Sequence, residues 1–77
     1  PQWQGAGVGR RLMELAEDAV ARRGGGGLYI ETSSRAAYAR TRRFYRQAGY
    51  RQVARLRDFY APGDHKIVFC KTLPSPP

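Results

Sequence analysis

The chain has 77 residues, with 14 Lys and Arg against 6 Asp and Glu and a formal net charge of +8 at pH 7, a length that admits one compact domain and excludes a multidomain enzyme. Its 42% hydrophobic and 12% aromatic content is too rich for a disordered tail, but a chain this short buries only roughly 60–65% of its unfolded surface, so support from a ligand or partner is expected. A single cysteine, Cys70, and a single histidine, His65, exclude an internal disulfide and a Cys/His zinc cage, and no apolar run approaches the roughly 18 residues of a membrane span.

Taken in order, the first element is a helix over about Val8 to Arg23. Leu12, Leu15, Ala16, Ala19 and Val20 form one apolar stripe at i, i+3, i+4, i+7 and i+8, opposite Arg11, Glu14, Asp18 and Arg22. The run Gly24 to Gly27 terminates it. Leu28 to Thr32 is a short β-prone stretch, and Ser33-Ser34 can cap a second helix over Arg35 to Gln47, where Tyr38, Thr41, Phe44 or Tyr45, and Ala48 recur at helical spacing until Gly49 stops it. Tyr50 to Arg57 reads as a strand with imperfect alternation. Phe59 to Asp64 carries Pro-Gly turn chemistry, and Lys66 to Leu73 is the clearest strand of the sequence, so these two form a hairpin. Helix, strand, helix, strand, strand describes an open α/β piece followed by a frayed Pro74 to Pro77 tail.

The strongest local motif is Gln4-Gly5-Ala6-Gly7-Val8-Gly9-Arg10-Arg11, placed against the start of the first helix. Glycines let the backbone approach a ligand closely, and the free N–H groups of a first helical turn favour a phosphate, which makes the segment a pyrophosphate cradle. It is not the dinucleotide fingerprint, since Arg10 stands where a glycine is needed, nor a Walker loop, since no Gly-Lys-Ser/Thr follows. The alternative is a flexible lead into the helix. A second motif is Phe44-Tyr45-Arg46-Gln47-Ala48-Gly49-Tyr50.

With these two motifs at this separation and a strand between them, the chain resembles the GNAT superfamily of N-acetyltransferases, whose signature loop reads Gln/Arg-x-x-Gly-x-Gly/Ala. The resemblance runs nearly the whole length and implies an α/β fold, the C-terminal half of an acyl-CoA N-acyltransferase-like fold, with residues 1–73 as the partial, acetyl-CoA-binding domain and 74–77 as a disordered tail. It further implies that Gln4, Gly5, Ala6, Gly7, Val8, Gly9, Arg10 and Arg11 bind acetyl-CoA through its pyrophosphate, without a metal. Tyr45 maps to the tyrosine that protonates the departing thiolate, while an amine acceptor attacks directly. A phenol is an apt acid for an alkyl thiolate; the other reading of Tyr45 is an aromatic that packs the helix on the sheet. Two positions depart from the pattern: Tyr38 and Thr41 stand where many members have asparagine and alanine.

Outside the motifs the residues read more plainly. Cys70 is expected as a small buried residue of the last strand, His65 as a solvated turn histidine, and Glu31 as either a base or cation anchor facing the acceptor, or an exposed carboxylate paired with arginine. Twelve of the 14 basic residues are arginine, which keeps a nucleic-acid-binding module open as an alternative, although no RNA-binding signature accompanies them. A non-catalytic half-domain that pairs with a partner is the third reading. By family topology the Leu28 to Thr32 strand lies at an open sheet edge, through which a homo-oligomer can form. A cytoplasmic location, with neither leader nor membrane anchor, is expected.

Overall fold

Glycine decides where both helices end. In the structure, a computed structural model describing residues 6–74, α1 spans Ala6–Arg22 and α2 spans Ala39–Gln47. At the end of α1 the Gly25 N–H donates to the Val20 carbonyl at 3.0 Å and the Gly24 N–H to that of Ala21 at 3.1 Å. Gly24 sits at φ +106°, and this bond pair is the Schellman arrangement, which needs a left-handed residue just past the helix. The same pattern closes α2. Tyr50 N–H reaches the Tyr45 carbonyl at 3.0 Å and Gly49 N–H that of Arg46 at 3.1 Å, with Gly49 at φ +97°. Lys71 Nζ adds a cation at that helix end by donating to the Ala48 carbonyl at 2.9 Å.

Between the helices lies β1, Gly26–Ser33, and a 3₁₀ turn, Ala36–Tyr38, leads into α2. The single helix expected over Arg35 to Gln47 is therefore divided. Ser33 Oγ accepts the Arg35 N–H at 3.0 Å, but Ser34 caps nothing: its Oγ accepts the His65 N–H at 2.9 Å and its own N–H donates to the His65 carbonyl at 2.9 Å. A tertiary partner has captured a side chain that local chemistry would have used as a cap.

β2, Arg51–Ala61, and β3, Asp64–Leu73, form an antiparallel hairpin. Both strands run further than the sequence suggests, because Pro62-Gly63 suffices for the turn, with Gly63 at φ +79° as the second central residue. The register pairs Arg51 with Cys70 and Ala54 with Val68, then Leu56 with Lys66, and is interrupted near Val53 and again between Leu56 and Ala61. In the second irregularity Asp58 takes φ +54°, held by its N–H donating to His65 Nδ1 at 2.9 Å and its Oδ1 accepting the Gly63 N–H at 2.8 Å. His65 is thus a strand residue with its side chain only 16% exposed, not the solvated turn histidine expected.

The sheet order is β1-β3-β2, so β1 has a hydrogen-bonded neighbour on one side only among the described residues. The chain divides into two compact units, one containing α1 with residues up to Leu28 and from Thr72, the other Tyr29–Lys71. In the second unit Phe69 is 0% exposed, with Ile67 and Tyr50 also buried. Tyr45 meets the Phe69 ring edge-on at 5.6 Å and the Arg46 guanidinium lies 5.3 Å from its centroid. Phe69→Ala is expected to cost about 3–5 kcal/mol, enough to unfold so small a unit, and a chemical denaturation curve checks it.

In the first unit the stripe Leu12, Leu15, Ala16, Ala19 does not form a core face. Leu12 is 61% and Leu15 49% exposed, whereas Gly9, Met13, Glu17, Val20 and Ala21 are the half-covered positions. Periodicity located the helix but not its covered side, because the described residues do not cover the stripe. Cys70 lies in β3 and is only half-buried.

Candidate active site

Gly7 and Gly9 stand within the first turns of α1, where the sequence alone suggested a loop that gives way to helix at Val8. Among the described residues, a side chain at Gly7 or at Gly9 would meet no atom within 4 Å. Glycine lowers helix stability by up to about 1 kcal/mol relative to alanine, so the local fold gives no reason for the choice. The first turn holds no acidic residue, and Arg10 and Arg11 follow, Arg11 3.7 Å from Glu14 in an exposed i,i+3 pair. The described start of α1 thus carries basic residues and no acid. Of the other residues assigned to this segment, Ala6 and Val8 contribute helical backbone, and Gln4 and Gly5 lie outside the described residues.

Tyr45 belongs to the other unit, so the two halves of the expected site are described separately. Its ring rests on Phe69 and lies 6.2 Å from Tyr50. Tyr45 and Tyr50 are the C3 and C″ positions of the Schellman motif, where a side-chain contact usually accompanies the backbone bonds. The spacing aromatic, three residues, Gly-aromatic is therefore a device that fixes Tyr45. A side chain at Gly49 would be forced into left-handed backbone and would approach Lys71 Cε at 3.4 Å. Burial raises the Tyr45 phenol above its ordinary 10.0, so it stays protonated throughout the neutral range.

Tyr45 lines a cavity of about 500 Å³ together with Glu31, Thr32 and Ser33 of β1, Arg35 and Tyr38 of the connection, Thr41 of α2, and Tyr60 and Asp64 of the hairpin. Residues 38, 41 and 45 share one side because they are three and four apart. The two positions that depart from the family pattern, Tyr38 and Thr41, are thus both cavity wall. A polar knot holds the rim. Ser33 Oγ donates to the Asp64 carboxylate, and Arg42 Nη1 donates to the Ser33 carbonyl at 2.8 Å and to the Arg35 carbonyl at 2.9 Å. Sequence reasoning missed Ser33, Arg42 and Asp64, since a serine, an arginine in an arginine-rich helix and a turn aspartate carry no local signal. Glu31 also lines the cavity, paired not with arginine but with Lys66 Nζ at 2.6 Å.

The sequence profile described as "Acetyltransferase (GNAT) domain" matches residues 1–52, and the chain belongs to that family. Among solved structures, a putative acetyltransferase of the GNAT family from Desulfovibrio desulfuricans is 42% identical with a TM-score of 0.85, over 94% of this chain and 45% of its own. The ribosomal-protein-S18-alanine N-acetyltransferase from Escherichia coli is 25% identical with a TM-score of 0.80, over 100% of this chain and 50% of its own. The chain therefore spans about half the length of the solved structures it matches. No curated protein sequence matches it significantly. Among the described residues no helix is long and apolar enough to cross a membrane, and no group of His, Cys, Asp and Glu is placed to hold a metal ion.

Proposed function

We propose that the chain is the acetyl-CoA-binding half of an N-acetyltransferase that passes the acetyl group to an amine acceptor by direct attack. The observation that carries this reading is the pair Gly7 and Gly9, helical at the start of α1, where among the described residues an added Cβ meets no atom within 4 Å. Bound acetyl-CoA supplies the activated acyl group as a thioester. The chain's own part is to hold the diphosphate on the α1 amides with Arg10 and Arg11 nearby, to shape the acceptor cavity, and to present Tyr45 as the proton donor to the leaving sulfur. The Asp64 carboxylate suits an ammonium approaching the cavity.

Calorimetric titration tests the reading. Coenzyme A is expected to bind on the order of micromolar, whereas pantetheine, which lacks the diphosphate, is not. Salt-sensitive binding of a single-stranded oligonucleotide without coenzyme A binding supports a nucleic-acid module instead. We also propose that the 77-residue chain, alone, self-associates through the flank of β1 that has no strand neighbour among the described residues, and does not turn over. Sedimentation of a folded monomer at micromolar concentration, or acetyl transfer at an ordinary enzyme's rate, overturns this.

A further inference from the structure

The charges of the cavity wall point to a class of acceptor. We propose, resting on the acetyltransferase reading above, that the cavity takes a free α-amino acid, the ammonium held toward Asp64 and the carboxylate by Arg35. Both residues line the cavity. Among the described residues Arg35 uses its backbone N–H and carbonyl in hydrogen bonds, while its guanidinium has no ionic partner. Asp64 accepts the Ser33 hydroxyl but faces no cation. Glu31 differs, because Lys66 neutralises it at 2.6 Å. The wall therefore presents one uncompensated charge of each sign.

That arrangement discriminates. A polyamine sets a second ammonium against Arg35, and a purely anionic ligand meets Asp64, so each gains one contact and loses another. A zwitterion satisfies both, and the planar fork of a guanidinium matches a carboxylate. A protein N-terminus carries no carboxylate beside its amine and forgoes the Arg35 contact. The half-exposed rings of Tyr38 and Tyr60 supply apolar wall for the amino acid's side chain. In the reaction the acetyl carbon exchanges its bond to sulfur for one to the acceptor nitrogen. The bound ammonium first gives one proton to solvent, because only the neutral amine has a lone pair to attack. After attack the nitrogen releases a second proton to solvent, the sulfur takes one from Tyr45, and Tyr45 regains one from solvent, giving an N-acetyl amino acid and coenzyme A.

The test is an amide-resolved NMR titration of the chain with L-leucine, L-leucinamide and cadaverine. Leucine is expected to shift the amides of Thr32, Arg35 and Thr41. Leucinamide is expected to bind about tenfold more weakly or worse, the loss of one charge-assisted pair, and cadaverine not to compete. Arg35→Gln is expected to reduce leucine affinity about tenfold and leave leucinamide unchanged. Leucinamide binding as tightly as leucine, no effect of Arg35→Gln, or no shift with leucine overturns the proposal. Coenzyme A added to the same samples reports separately through the Gly7 and Gly9 amides. Those shifts retained while the leucine pattern fails overturn the acceptor class alone; those shifts absent overturn the transferase reading and the acceptor role with it.

Discussion

Gly9→Leu, and Gly7→Leu beside it, are expected to abolish coenzyme A binding while leaving the chain as stable as before or slightly more so. Most functional glycines do not separate these effects, because the glycine also serves a turn or a close contact. Here both lie in helix and, among the described residues, nothing lies within 4 Å of the added Cβ, so a leucine meets no clash there and removes a helix-propensity penalty of up to about 1 kcal/mol. The added side chain projects where the diphosphate must approach the first-turn amides. Calorimetry with coenzyme A beside a thermal melt reads both quantities. Retained affinity removes the phosphate role from these glycines. A lowered melting temperature with lost affinity shows instead that they serve the fold.

Tyr45→Phe in the complete enzyme is expected to lower kcat by about 10²–10⁴-fold with little change in KM for acetyl-CoA. The ring contacts with Phe69 and Tyr50 survive the change, and among the described residues the hydroxyl has no hydrogen-bond partner to lose, so the fold is spared. A pH profile adds an independent signature. Burial raises this phenol above 10.0, so the donor is present at all lower pH and its loss slows the reaction only as pH rises beyond 10; the phenylalanine variant has no such limb. The raised value also means that the phenol's stability contribution is present below 10 and lost at higher pH. Undiminished kcat reduces Tyr45 to packing.

The order of elements and the helix stops were legible because they depend on local chemistry. Gly24 and Gly49 adopt left-handed backbone open to few other residues, and both end their helices as the sequence indicates. The cavity was not legible. Ser33, Arg42 and Asp64 acquire their roles only when β1, α2 and the hairpin converge, and Ser34 gives up a capping role to bind a histidine 31 positions away. Asp58 could not be read as a left-handed residue, since its conformation depends on His65 and Gly63.

By itself the sequence determined the α/β order, the family and the two motifs, since each rests on residues adjacent in the chain whose conformational preferences are intrinsic. Tertiary structure alone decided which face of α1 is covered and that, among the described residues, Arg35 and Asp64 stand without an ionic partner in one cavity. Burial, strand pairing and charge compensation depend on which distant groups arrive at a surface, and local spacing carries no record of that.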